Sequence, residues 1–157
     1  MSETETEVPR TDAQALADAA AAAMWQADKA SQNLGMRLER VAPGRATLSM
    51  PVAETFCNGH GTCHGGFIFT LADSAFAFAC NSHNDKAVAQ QVAITFIAPA
   101  FAQDRLTAEA VEVSRRGRSG LYDVSVTRQD GSLVASFRGN SRQVPGSHVD
   151  WPQDRED

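Results

Sequence analysis

The stretch His64-Gly65-Gly66-Phe67-Ile68-Phe69-Thr70-Leu71-Ala72-Asp73-Ser74-Ala75-Phe76-Ala77-Phe78-Ala79-Cys80-Asn81-Ser82 decides how this chain is read. From Phe67 to Ser82 its one charged residue is Asp73. The run is too long for an ordinary strand, and its alanine content favours helix. A helix that is apolar on nearly all sides belongs inside a fold, where a sheet wrapped around it covers it. An unpaired carboxylate is costly to keep in such a place. Asp73 is therefore either satisfied by a neighbour such as Thr70, Ser74 or a backbone group, or it faces a cleft where its charge is used.

Upstream, Asp12 to Asn33 is alanine-rich and helix-favouring, with Asp12 as N-cap and Leu16, Ala20, Ala23 and Ala27 near helical spacing, and Gly35 ends it. Met36 to Val41, a Pro43-Gly44 turn and an alternating run follow. In that run Ala46, Leu48, Met50 and Val52 share one face. The spacing predicts two antiparallel strands. Downstream, Val92, Ile94 and Phe96 alternate with Ala93, Thr95 and Ile97 up to Pro99, which predicts a long strand covered on much of both faces. Leu106 to Val113 is a further strand. Tyr122, Val124 and Val126 mark another, and Leu133, Ala135 and Phe137 the last, with Asp130-Gly131 as the hairpin turn between these two. The predicted architecture is α+β: a short N-terminal helix, two strands, one buried helix, then four strands, with the helix on one face of an antiparallel sheet. Residues 1–11 read as a disordered acidic tail, 12–144 as the domain and 145–157 as a polar C-terminal tail.

A chain of 157 residues with 43% hydrophobic and 21% charged residues fits one domain with a real core. Its net charge of -5, without a long basic run, argues against general affinity for nucleic acid or an anionic membrane surface. The start, Met1 to Glu7, is acidic where a secretory signal is basic, and no stretch has the character of a membrane span, so a cytoplasmic protein is expected. Cys57, Cys63 and Cys80 fit reduced thiols better than a disulfide framework.

Two glycines at a helix start let the backbone approach a ligand and point free amides, backed by the helix dipole, at an anion or a developing oxyanion. The plain alternative is tight packing of helix on sheet. Gly65 and Asp73 lie about 12 Å apart along a helix, too far to attend one carbonyl carbon. Two such helices antiparallel across a two-fold axis bring the start of one near the middle of the other, which makes the site a shared one. Cys57-x-x-His60-x-x-Cys63-His64 has metal-ligand residue types, but it lacks a second paired half. Adjacent Cys63 and His64 rarely place a thiol and an imidazole for proton transfer.

Asn58-Gly59-His60-Gly61-Thr62-Cys63-His64-Gly65-Gly66, Leu71-Ala72-Asp73-Ser74-Ala75-Phe76-Ala77 and Asn81-Ser82 together resemble the hotdog-fold acyl-CoA thioesterases of the phenylacetate-degradation (PaaI) type. The likeness extends through Thr95-Phe96-Ile97-Ala98-Pro99, Gly120-Leu121-Tyr122-Asp123-Val124 and Phe137-Arg138-Gly139, roughly Leu16 to Val144. It implies a hotdog fold, an antiparallel sheet wrapped around a long central helix, and a homodimer with continuous sheets and shared active sites, commonly assembled as a dimer of dimers. It implies hydrolysis of an acyl-CoA thioester, with Asp73 as base or nucleophile and the Gly65 amide as oxyanion donor. Asn58 then positions water or the carboxylate, and His64 orders the helix start and the thioester.

The substrate-binding candidates are Gly66, Ser74, Arg116, Arg118 and Arg138, with Arg115 and Arg142 as further cations for the coenzyme A phosphates. Many relatives carry a lysine where Asn140 stands. No metal is expected, and no cofactor beyond the coenzyme A of the substrate. The preferred acyl group is phenylacetyl or a ring-hydroxylated derivative, with related aryl and medium-chain groups beside it. Phe67, Phe69, Phe76 and Phe78 either line that pocket or pack the core. A hotdog hydratase or dehydratase and a non-catalytic acyl-CoA-binding protein are the competing functions.

Overall fold

The computed structural model describes residues 12–152, so the acidic tail read at 1–11 lies outside the described residues. Helix α1 (Asp12–Ala27) leads into a short α2 (Lys29–Asn33), where the sequence predicts one continuous helix. The break falls at Asp28, whose carboxylate accepts from the Ser31 N–H at 3.0 Å and from the Ser31 hydroxyl at 2.6 Å. A short acidic side chain competes in this way for the backbone and starts a new helix. The buried residues of α1 are Ala17, Ala20 and Ala21, so of the four at helical spacing, Leu16, Ala20, Ala23 and Ala27, Ala20 alone is buried. An alanine helix offers too little contrast in side-chain size to mark its own inner face.

Strands β1 (Arg37–Ala42) and β2 (Arg45–Pro51), helix α3 (Gly65–Cys80), and strands β3 (Asp85–Phe96), β4 (Arg105–Arg116), β5 (Ser119–Thr127) and β6 (Leu133–Ser147) complete the fold. The strands form one antiparallel sheet in the order β1-β2-β4-β5-β6-β3. Its register aligns the alternating apolar residues across strands. Leu48 faces Ala108, Ala108 faces Val126, Val126 faces Ala135, and Ala135 faces Phe96. The next row runs Ala46, Ala110, Val124, Phe137 and Ile94. These rows make one apolar face, and α3 lies on it through the ring contacts Phe76–Tyr122 at 5.6 Å, Phe76–Phe137 at 5.8 Å and Phe69–Phe137 at 5.6 Å. The expected layout of a sheet around a buried helix is what the structure shows.

The Asp130-Gly131 turn forms as predicted, with Gly131 at φ +85° and its N–H donating to the Arg128 carbonyl at 2.9 Å. Three expectations need correction. Leu133 is exposed, because a register shift at Val126/Thr127 begins β6 irregularly and Val134 takes the buried place. Pairing of β6 runs to Ser147, past the domain limit expected at 144, and the His148 and Val149 N–H groups donate to Asn84 Oδ1 at 3.1 and 3.0 Å. Strand β3, with its Val92 to Ile97 run expected to be covered on much of both faces, is instead an edge strand paired on one side by β6, with Phe96 and, just past its end, Ile97 each 51% exposed. Among the described residues no helix is long and apolar enough to cross a membrane.

Candidate active site

Helix α3 begins where His64 leaves extended backbone, and the His64 imidazole caps it: the Gly66 N–H donates to Nδ1 at 2.9 Å. The Phe67 N–H donates to the His64 carbonyl at 3.0 Å. Among the described residues the Gly65 N–H has no partner, so it is the donor that the helix start leaves free. Acceptance at Nδ1 also fixes the histidine tautomer, leaving the proton on Nε2. The segment is held from behind by the His64 N–H on the Phe56 carbonyl at 2.8 Å and by the stacked pair Phe56–Phe67, centroids 4.3 Å apart.

Gly65 is a close-approach glycine. A Cβ there would stand 2.9 Å from Phe96 Cζ at the end of β3. The missing side chain lets the helix start pack on Phe96, while the Gly65 amide keeps no partner among the described residues. A Cβ on Gly66 would stand 3.1 Å from His64 Nδ1, against the cap itself.

The loop before the helix is organised by Asn58. Its Oδ1 accepts from the His60 N–H at 2.9 Å and from the Thr62 N–H and hydroxyl, each at 3.3 Å. Its amide nitrogen has no partner among the described residues and is left to donate.

Asp73 sits midway along α3, partly buried. The neighbours best placed to satisfy it are engaged elsewhere. The Thr70 hydroxyl donates to the Gly66 carbonyl at 2.8 Å, and the Ser74 hydroxyl lies 2.9 Å from that of Ser31 on α2. Among the described residues the Asp73 carboxylate has no hydrogen bond and no ion pair. Burial, with no partner to offset it, pushes its pKa above the ordinary aspartate value. Ser74, expected as a substrate-binding residue, is placed at the α2–α3 contact. No hydrogen bond links Asp73 to Asn58, His64 or Gly65, and Gly65 lies about 12 Å away along the helix.

No three of the candidate metal ligands are gathered, since among the described residues no group of three or more His, Cys, Asp or Glu is placed to hold an ion. Cys63 is buried with its thiol directed to the His64 carbonyl at 3.7 Å, and burial pushes its pKa up to about 11. The His64 Nδ1 that would serve it as a base is taken by Gly66.

The arginines divide. Arg115 pairs with Asp85 at 2.7 Å, and Arg138 grips Asp123 with two hydrogen bonds of 2.6 and 2.9 Å. Arg116, Arg118 and Arg142 have no ion-pair partner among the described residues. They cluster by register, because Arg116 is paired with Ser119 and Ser119 with Arg142 across the end of the β4–β5 hairpin. Of the phenylalanines, Phe76 and Phe78 are core, each 1% exposed. A cavity of about 840 Å³ between α1 and β1, lined by Trp25, Met36 and Leu38, includes none of the candidate catalytic residues.

Sequence reasoning misses Phe96 and the Phe56–Phe67 stack. Both depend on which strand or loop meets the helix start, and no local pattern carries that information.

The family model for the thioesterase superfamily matches residues 60–135. The acyl-coenzyme A thioesterase PaaI of Escherichia coli (strain K12) is 42% identical over 126 residues, covering 80% of this chain and 89% of that protein. The solved structure of the E. coli PaaI protein, from the phenylacetic acid degradation operon, superposes with a TM-score of 0.85 at 39% identity over 87% of this chain and 99% of that one. The TT0310 protein of Thermus thermophilus superposes with a TM-score of 0.72 at 39% identity, covering 74% of this chain and 98% of that one. With the free Gly65 amide and the unpaired Asp73 carboxylate on one buried helix, these likenesses settle the lineage: the chain belongs to the hotdog-fold thioesterase superfamily, among the PaaI-type acyl-coenzyme A thioesterases, and is a thioester hydrolase.

Proposed function

We propose that the protein hydrolyses aryl acyl-CoA thioesters, phenylacetyl-CoA and its ring-hydroxylated derivatives first among them, in a homodimer whose two sites are each built from both chains. The observation that carries the reading is the Asp73 carboxylate, buried in an apolar helix without a partner. In this reading Asp73 is the general base. Its raised pKa brings it closer to neutrality, where a base works best. It takes a proton from water as the water oxygen bonds to the thioester carbonyl carbon. The Gly65 N–H of the partner subunit receives the carbonyl oxygen as charge develops there. The carbon–sulfur bond then breaks, and coenzyme A leaves as a thiolate and takes up a proton. The free Asn58 amide donates to the attacking water or to the carboxylate, and the His64 cap holds Gly66 so that the neighbouring Gly65 amide stays aimed outward.

The dimer is supported by β3. From Ala87 to Phe96 this edge strand has no charge and no proline, the devices that normally protect an exposed edge. Its two ends meet the two ends of α3: Phe96 touches Gly65, and the Ala87 N–H donates to Asn81 Oδ1 at 2.9 Å. Asp73 is therefore level with the middle of β3. A second copy pairing there in antiparallel sense sets the two α3 helices antiparallel, the arrangement that the roughly 12 Å separation requires. A dimer of dimers and a cytoplasmic location belong to the same reading, the latter supported by thiols that are all free.

Arg116, Arg118 and Arg142, unpaired at the β4–β5 turn, are the cations proposed for the coenzyme A phosphates, and Arg138, already bound to Asp123, is the weakest of the candidates. The aryl preference is supported by the likeness to the E. coli protein of the phenylacetic acid degradation operon. Thiol release from phenylacetyl-CoA, its ring-hydroxylated analogues, benzoyl-CoA and straight-chain acyl-CoAs tests it. The aryl substrates are expected to give the highest kcat/KM. Turnover confined to straight chains overturns the substrate assignment, and absence of turnover across the panel overturns the enzyme.

A further inference from the structure

Cys57 and Cys63 face each other as an isolated antiparallel bridge that closes the loop carrying Asn58. The flanking hydrogen bonds define its type. The Asn58 N–H donates to the Thr62 carbonyl and the His64 N–H to the Phe56 carbonyl, both at 2.8 Å, whereas the Cys63 N–H turns away to the Ala100 carbonyl at 2.7 Å. This is the pattern of a non-hydrogen-bonded pair, in which the two Cα atoms lie about 4.5 Å apart and both side chains stand on one face. A disulfide spans Cα separations of about 4.4–6.8 Å, so the backbone is already within range. The thiols point to different carbonyls, Cys57 to Ala53 at 3.9 Å and Cys63 to His64 at 3.7 Å, and χ1 rotation is the movement the bond needs.

We propose that Cys57 and Cys63 are a reversible thiol–disulfide site, oxidised by hydrogen peroxide, that staples the loop holding Asn58 to the segment entering the helix start. Cys57, the less buried thiol, reacts first. Its sulfur attacks one peroxide oxygen, the O–O bond breaks, and the leaving hydroxide takes a proton to become water. The Cys63 sulfur then attacks the resulting sulfenic acid. The S–S bond forms as the S–O bond breaks, and the hydroxide leaves with the Cys63 proton as a second water. Two thiols lose two electrons and two protons, and one peroxide becomes two waters. Cys80, buried in the last turn of α3 with its thiol on the Ala77 carbonyl, takes no part and serves as the internal reference.

The experiment treats the purified full chain with stoichiometric hydrogen peroxide, then counts thiols in denaturant and maps peptides by mass spectrometry. The expected result is a drop from three titratable thiols to one, a linked peptide containing Cys57 and Cys63 at a mass two hydrogens lower, and full reversal by dithiothreitol. Thermal unfolding of the oxidised form should shift upward by several degrees, because a closed loop restricts the unfolded chain. Cys57→Ser and Cys63→Ser should each abolish the linkage and the shift. Three thiols surviving, Cys57 found as a sulfinic acid without a linked peptide, or a linkage to Cys80 or to another chain overturns the proposal. These readouts need no substrate, so their failure leaves the thioesterase reading untouched, and failure of turnover leaves the linkage standing.

Discussion

Asp73 carries a cost at neutral pH, because its carboxylate is partly buried and has no partner among the described residues. Its pKa is raised by burial in the folded protein, so folding favours the protonated acid. The linkage follows: stability from this group is fully present below the unfolded value near about 4 and is lost as pH rises through the higher folded one. Asp73→Asn should therefore unfold at higher urea than the parent at pH 7, with the difference vanishing in acid. The same substitution should lower kcat by at least about a hundredfold with little change in KM, as loss of a base requires. A variant that keeps near-parental turnover removes Asp73 from the chemistry. In the parent, the acid limb of kcat/KM should fall above the ordinary aspartate value. At the helix start, Gly65→Ala sets a Cβ 2.9 Å from the Phe96 ring and should cost both stability and kcat. Adding Phe96→Leu should restore stability, measured by urea unfolding. If it does not, the Phe96 contact is not the reason for the glycine.

At the scale of elements, two devices hold α3 in place. One is the ring cluster of Phe76, Tyr122 and Phe137 under it, and Phe76→Ala should cost about 3–5 kcal/mol on calorimetric unfolding. The other is the Asp28–Ser31–Ser74 chain that ties α2 to α3. The β4–β5 hairpin gives a further prediction. Arg116→Ala, Arg118→Ala and Arg142→Ala should each raise KM for acyl-CoA, increasingly at low salt, while leaving kcat for an acyl-pantetheine without the nucleotide unchanged. Equal effects on both substrates contradict the phosphate assignment.

How far these elements are legible in the sequence follows from where each signal lies. Alternation in β2, β5 and β6 is local, and so is the apolar run of α3, which is why the layout can be read from them. The lone charge at Asp73 is readable for the same reason. The inner face of α1 is not, since alanines look alike on every side. The exposure of β3 escapes the sequence because its apolar residues suit either a core or an interface, and composition alone does not separate the two. Phe96 at Gly65 arises from register between distant segments, which one sequence does not display, whereas the Cys57–Cys63 bridge closes within one short loop whose backbone pairing has no alternating pattern to mark it.

At the scale of the whole molecule, the proposed shared site requires a second copy. Among the described residues of a single chain β3 is unpaired along its outer edge, and the proposed oxyanion donor Gly65 and the Asp73 carboxylate are separated by about 12 Å along the helix. Gln91→Lys, in the middle of β3, should convert the assembly to folded monomers on analytical ultracentrifugation and abolish turnover with it. Complementation tests the shared site most directly. Asp73→Asn and Gly65→Pro chains, each tagged differently and each verified as folded, are exchanged and the heterodimer is isolated. One of its two sites then combines the intact Gly65 of the first chain with the intact Asp73 of the second, and activity near half that of the parent dimer is predicted. Heterodimers no more active than the two separate variants would contradict the shared site and place a complete one in each chain.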